Sequence, residues 1–114
     1  MSDYRSKPRS NVSWRAAILI SAGNIVPAKI VNFSGGGIQV QCERLLRDGQ
    51  TYQMMMEVPD QYDASVRTQV ICKATCLYAL LSGSEYRAGM KYFEVPPQHQ
   101  ELLKSWGGKV AMAA

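Results

Sequence analysis

The sequence lacks the features that mark membrane, secreted and disulfide-bonded proteins. No apolar run approaches the roughly 18–20 residues that cross a bilayer. The clean apolar stretch near the N-terminus, residues 16–20, falls short of the about 7–15 residues of a signal-peptide core. There are three cysteines, and an odd number without a secretory segment argues against a disulfide framework. We therefore expect a cytoplasmic protein with reduced thiols and no membrane insertion.

Residues that perform catalysis or bind metals are also scarce. The single histidine, His99, lies in a predicted C-terminal helix with no nucleophile or carboxylate that can be grouped with it. Cys72 and Cys76 lie on one predicted strand, where four residues span about 13 Å. That distance is too long for a disulfide or a shared metal ion. We predict that both, like Cys42, are core residues, and that the protein is not an enzyme and has no cofactor or metal site.

The composition is that of one globular domain with an uneven charge distribution. The chain has 114 residues, of which 46% are hydrophobic and 19% are charged, and its net charge is +4. The remaining 84 residues after residue 30 balance eight basic against eight acidic side chains, so the whole excess lies in residues 1–30. Positive charge confined to the N-terminal segment indicates that this segment contacts an anion.

Short strand-like runs separated by turn residues predict an all-β fold. Alternating apolar and polar residues or β-rich runs occur over residues 14–21, 25–33, 38–42, 51–58, 66–78 and 85–95. Six short strands with short connections are typical of a small antiparallel β-barrel, because closure removes exposed strand edges. Pro96 and Pro97, followed by apolar residues at helical spacing, predict a short C-terminal helix that ends at Gly107 and Gly108. We therefore predict a flexible basic arm over residues 1–13, a six-stranded barrel with its helix over residues 14–106, and a disordered tail over residues 107–114.

The predicted arm contains two arginines in an RxxxR pattern, Arg5 and Arg9. The guanidinium group donates two parallel hydrogen bonds, which suit a phosphate or the O6/N7 edge of guanine. A solvated basic tail explains this pattern about as well.

An NxSxxG pattern, formed by Asn32, Ser34 and Gly37, ends the second predicted strand. Residues two apart on a strand point the same way, and both polar side chains donate and accept hydrogen bonds. Three consecutive glycines at residues 35–37 allow positive φ and expose backbone N–H groups to a flat or anionic ligand. A glycine-rich hairpin with a bulge, which needs no ligand, explains the pattern slightly better when it is taken alone.

Taken together, the two patterns and the six strands resemble the PilZ domain family. That family combines an N-terminal RxxxR with a D/NxSxxG pattern some twenty to thirty residues later on a small β-barrel. The segment Tyr-Arg-Ala-Gly-Met-Lys-Tyr-Phe over residues 86–93 is similar to the family's last strand. The resemblance covers nearly the whole chain.

The resemblance implies a non-enzymatic receptor for the bacterial second messenger cyclic di-GMP. By this likeness, Arg5 and Arg9 would hold guanine edges or phosphates, and Asn32 and Ser34 would contact the ligand from the barrel surface. Gly37 would keep the turn open. The arm would close over the ligand and present a new face to an unidentified downstream protein.

This sequence differs from the family pattern at two positions. Asn32 stands where the family often has Asp, and Tyr4 stands where it often has another arginine before the motif.

Two alternatives of other classes remain open. One is a small basic barrel that binds single-stranded nucleic acid through arm charges and exposed aromatic residues such as Trp14, although we do not expect nucleic acid to be the partner. The other is a PilZ-like protein adaptor that acts without a ligand.

Overall fold

Six antiparallel strands and one helix make up the part of the chain that the structure describes, as the sequence predicts. The structure is a computed structural model that describes residues 9–112, with side chains for residues 10–107. The elements are β1 (Arg9–Ser21), β2 (Asn24–Ser34), β3 (Ile38–Cys42), β4 (Thr51–Pro59), β5 (Arg67–Ser82), β6 (Glu85–Phe93) and α1 (Pro97–Met112).

The strands form a closed barrel in the order β1-β2-β3-β6-β5-β4. Two tight turns, at Gly23 between β1 and β2 and at Gly83 between β5 and β6, have positive φ values of 75° and 68°. Glycine adopts this conformation without the steric cost that a Cβ atom brings. The predicted all-β barrel with a C-terminal helix is confirmed.

The barrel interior is filled by alternate residues of each strand. Buried positions recur with a period of two along β3, β4 and the first half of β5. Met54 and Met56 point inward, and all three cysteines are buried and free, as predicted. Burial raises the pKa of the Cys72 thiol to about 11, so this thiol stays protonated at neutral pH and is a poor nucleophile.

Trp14 is a core residue and not an exposed aromatic residue, which corrects the expectation attached to the nucleic-acid alternative. Its side chain is 5% exposed, and its ring centroid lies 5.1 Å from those of both Phe33 and Trp106. Trp106 in α1 donates a 2.9 Å hydrogen bond from Nε1 to the carbonyl of Pro59. The Trp14 ring therefore joins the barrel interior to the helix that packs against it.

Two predicted boundaries differ from the structure. Strand β1 begins at Arg9 and not at Trp14, because residues 9–11 pair with residues 32–34 of β2 despite their lack of apolar periodicity. Helix α1 continues to Met112, past the glycines predicted to end it. A Cβ atom at Gly107 would lie 3.1 Å from the Gly35 backbone, so this glycine allows the helix to approach the barrel closely.

Most of the predicted flexible arm, with Arg5, falls on residues 1–8, and the end of the predicted disordered tail falls on residues 113–114. Both ranges lie outside the described residues. Within residues 9–112, no helix is both long enough and apolar enough to cross a membrane. The same part of the chain contains no group of three or more His, Cys, Asp or Glu side chains arranged to hold a metal ion.

Candidate functional site

A β-bulge in β2 places Asn32 on the outer face of the barrel. The register of β2 against β3 shifts between Ile30 and Asn32. As a result Ile30 and Phe33, three residues apart, are both fully buried, while Asn32 is half-buried. Asn32 is paired with Asn11 of β1 on one side and with Gln39 of β3 on the other.

The amide of Asn32 is held from the β1 side. Its Nδ2 donates a 3.0 Å hydrogen bond to Oδ1 of Asn11. Among the described residues, none donates a hydrogen bond to Oδ1 of Asn32. An amide oxygen accepts two hydrogen bonds, so Asn32 presents a free acceptor on the outer face.

The row of polar side chains continues across β3 to β5. Gln39 donates a 2.9 Å hydrogen bond from Nε2 to the hydroxyl of Tyr78. Between them, on β6, a Cβ atom at Gly89 would overlap the Tyr78 ring, so the glycine lets this ring lie across the sheet. We call Asn11, Asn32, Gln39 and Tyr78 the polar face. It offers hydrogen-bonding groups and one partly exposed aromatic ring on the outside of the barrel.

Ser34 has a different environment from Asn32, because its side chain belongs to the turn that follows β2. The residue is 8% exposed. Its hydroxyl accepts hydrogen bonds from the backbone N–H groups of Gly36 at 3.3 Å and Gly37 at 3.2 Å, and it donates to the carbonyl of Gly37 at 3.3 Å. A hydroxyl has one proton and two lone pairs. All of its hydrogen-bonding capacity is therefore used within the turn.

The turn itself, residues 34–37, is held on two sides. The hydroxyl of Tyr92 lies 3.3 Å and 3.2 Å from the carbonyl oxygens of Ser34 and Gly35. Burial raises the pKa of Tyr92 to about 12, so the phenol keeps its proton and can donate. On the other side, a Cβ atom at Gly37 would lie 3.0 Å from the Met90 carbonyl oxygen, so a side chain there would push against β6.

This arrangement changes the expected role of the three glycines. None of residues 35–37 has positive φ, which among the described glycines is found only at Gly23, Gly49 and Gly83. The N–H groups of Gly36 and Gly37 are directed at Ser34 and not at solvent. Of the three, Gly37 serves close packing against β6, whereas a Cβ atom at Gly35 would meet open space.

The two sequence patterns meet through strand pairing. Arg9 is paired with Ser34 in the register of β1 and β2, so the second arginine of RxxxR begins its strand beside the NxSxxG pattern. Further along the same two strands, Arg15 is paired with Lys29, and both are exposed. Among the described residues, neither forms an ion pair. The outer surface of β1 and β2 therefore has a positive charge that suits an anion.

Sequence reasoning missed Asn11, Gln39 and Tyr78. Asn11 was assigned to the arm, and Gln39 was noted only as the polar half of an alternating strand. Tyr78 follows a bulge between Cys76 and Tyr78 in β5, which breaks the period of two. The glycine of the last strand, Gly89, was the one available indication that a large side chain crosses the sheet there.

The fold is similar to that of several solved structures. The inhibitor of motility MotI (DgrA) from Bacillus subtilis matches with a TM-score of 0.77 and 15% identity, over 98% of this chain and 53% of that chain. YcgR from Escherichia coli in complex with c-di-GMP matches with a TM-score of 0.68 and 13% identity, over 89% of this chain and 43% of that one. The PilZ domain of the same protein with c-di-GMP has a TM-score of 0.63 and 12% identity, over 97% and 91% of the two chains.

The chain therefore spans about half the length of the first two of these structures. No curated protein matches it in sequence. The family model of the PilZ domain matches residues 3–106, a range that includes both sequence patterns, all six strands and most of α1. The chain belongs to the PilZ domain family.

Proposed function

We propose that this protein is a non-enzymatic receptor for cyclic di-GMP that binds the ligand on the polar face, beside the start of β1. The observation that carries the proposal is the pairing of Arg9 with Ser34 and of Asn11 with Asn32. This pairing brings the second arginine of RxxxR beside Ser34, on the same strand pair as Asn32, whose amide oxygen accepts no hydrogen bond from the described residues, and as the exposed Arg15 and Lys29. YcgR and its PilZ domain from E. coli, whose structures have a similar fold, were solved with c-di-GMP.

The chemistry of the ligand suits these residues. Cyclic di-GMP has two guanines, each with an O6/N7 acceptor edge and an N1–H/N2–H₂ donor edge, and two phosphates. Arg5 and Arg9 supply bidentate donors for the acceptor edge or a phosphate. Asn32 supplies the acceptor for the donor edge, and Tyr78, 39% exposed, offers a ring face to a base.

Ser34 and Gly37 contribute to this proposed site by shaping it. Ser34 fixes the turn next to Arg9, and Gly37 lets the turn pack on β6. A direct contact between Ser34 and the ligand would require the hydroxyl to give up a hydrogen bond of the turn.

The segment that precedes β1, residues 1–8, contains Arg5 and joins the polar face through β1. We propose that this segment closes over the bound ligand and that the closed form is recognised by a downstream protein. Closure costs backbone entropy of about 1–2 kcal/mol per residue fixed, which only strong charged and stacking contacts can offset. The direct measurement of this step is a comparison of backbone amide relaxation for residues 2–7 in free and bound protein.

Isothermal titration calorimetry with cyclic di-GMP, cyclic di-AMP and a single-stranded oligonucleotide tests the proposed function. We expect saturable binding of cyclic di-GMP and at least tenfold weaker binding of cyclic di-AMP, because adenine has a donor where guanine has the O6 acceptor. Equal affinity for both dinucleotides and the oligonucleotide would favour a nucleic-acid binder. Binding of none of the three by folded protein would leave a ligand-independent adaptor.

A further inference from the structure

We infer that Asn11 sets the hydrogen-bonding direction of Asn32 and is therefore a positioning residue for the base selectivity of the site. This inference rests on the proposed function, because it concerns how the same site distinguishes guanine. Neither sequence pattern includes Asn11. The structure brings it opposite Asn32 in the β1–β2 register and joins the two side chains by a 3.0 Å hydrogen bond.

An asparagine needs such a partner where an aspartate does not. A carboxylate accepts hydrogen bonds at both oxygens, whereas an amide has one accepting and one donating end. Rotation of the Asn32 amide by 180° would place its NH₂ group where the ligand meets it. A guanine N1–H/N2–H₂ edge would then face a donor and lose its hydrogen bond.

The observed contact selects one of these orientations. The Nδ2 of Asn32 donates a hydrogen bond to Asn11, so the Oδ1 of Asn32 is directed away from β1. No described residue donates a hydrogen bond to this oxygen. On the β3 side, the amide nitrogen of Gln39 donates to Tyr78 and not to Asn32. Asn11 is thus the described residue that fixes the direction of the Asn32 amide.

The opposite donation, from Asn11 to Asn32, becomes available if both amides rotate together. Asn11→Asp removes that option, because a carboxylate can only accept, and it keeps the shape of the side chain. Asn11→Leu also keeps the approximate shape but removes the hydrogen bond. The two variants therefore separate the direction of the hydrogen bond from the packing of the side chain.

The measured quantity is the ratio of the Kd for cyclic di-AMP to the Kd for cyclic di-GMP. Both ligands have the same phosphates, so the added charge of Asn11→Asp affects both affinities and cancels in the ratio. We expect Asn11→Asp to keep or raise the wild-type ratio. We expect Asn11→Leu to lower it about three- to tenfold, the effect of one hydrogen bond. Thermal unfolding of each variant checks that it is folded.

A double variant tests whether an aspartate at position 32 removes the need for Asn11. In Asn32→Asp the acceptor needs no orientation, so adding Asn11→Leu should change the ratio by less than about twofold. An unchanged ratio in Asn11→Leu alone would overturn the inference while leaving the proposed function intact. An equal fall in Asn11→Asp and Asn11→Leu would also overturn it. Folded wild-type protein that binds neither dinucleotide would overturn the proposed function itself, and this inference with it.

Discussion

Asn32 and Ser34 are two residues apart in one sequence pattern, yet they lie in two different kinds of environment. Asn32 lies on the outer face of the barrel, and no described residue donates a hydrogen bond to its amide oxygen, whereas Ser34 is buried and uses its whole hydroxyl in its own turn. A short sequence pattern can thus combine a residue suited to ligand recognition with a residue that stabilises the fold. Substitutions in the two places should therefore have separable effects on affinity and on stability.

The largest effect on stability is expected at the turn. Ser34→Val leaves the N–H groups of Gly36 and Gly37 without their acceptor and should lower the free energy of unfolding by about 1–3 kcal/mol. Urea denaturation measures this change. Ser13→Val is the matched control, because Ser13 is exposed on β1 and the chemical change is the same. Equal, small losses in the two variants would show that the turn does not depend on the hydroxyl.

The largest effect on affinity is expected for the arginines. Arg5→Ala and Arg9→Ala should each weaken cyclic di-GMP binding by about 1–3 kcal/mol, or roughly 10- to 100-fold, because each removes a bidentate charged contact. Arg67→Ala is the control, since Arg67 lies at the start of β5 and pairs with Glu57 at 3.5 Å. Calorimetry would contradict the proposed site if all three variants bound with wild-type affinity.

A smaller effect on affinity is expected for Asn32, on the outer face of the barrel. Asn32→Leu should weaken cyclic di-GMP binding by about 1 kcal/mol, or roughly fivefold, because it removes one acceptor. Its free energy of unfolding should stay within about 0.5 kcal/mol of wild type, as for most surface changes. Gln53→Leu, an exposed amide on β4, is the control. If Asn32→Leu destabilised the fold as much as Ser34→Val, the distinction between the two residues would fail.

An effect that is absent at neutral pH concerns Tyr92, which donates to the turn. Burial raises the pKa of its phenol to about 12, so the folded protein keeps this proton at a pH where the unfolded chain has lost it. The associated stability is present below pH 10 and is lost as the pH rises toward 12. Tyr92→Phe should flatten the decline of stability between pH 10 and 12 relative to wild type. An identical slope in both proteins would contradict the burial of this hydroxyl.

The periodic parts of the fold could be predicted from the sequence, and the irregular parts could not. Alternation identified β3, most of β5 and the buried cysteines, because a strand with one buried face must alternate. The start of β1 escaped prediction, since residues 9–11 are held by pairing with β2 and have no apolar pattern of their own. Gly107 was read as a helix end because the close approach of α1 to Gly35 cannot be deduced from composition.

For the candidate site, the sequence predicted the types of some residues but not how they are arranged relative to one another. The patterns placed Asn32 and Ser34 in one strand. The bulge before Asn32 and its partner Asn11 depend on strand register, and the environment of Ser34 depends on the turn that follows β2. Register between β1 and β2 follows from the turn at Gly23 and from a bulge between Asn11 and Trp14, and neither pattern contains that information.

An NMR titration of ¹⁵N-labelled wild-type protein with cyclic di-GMP tests directly whether the ligand binds on the polar face beside the start of β1. We expect the largest shifts at the side-chain amides of Asn11, Asn32 and Gln39 and at the backbone amide of Arg9. The amides of Val70 and Ala74, buried in β5 on another part of the barrel, should move little. Shifts centred on β4 and β5 with the Asn32 side chain unaffected, or no shifts at saturating ligand, would contradict this proposed site.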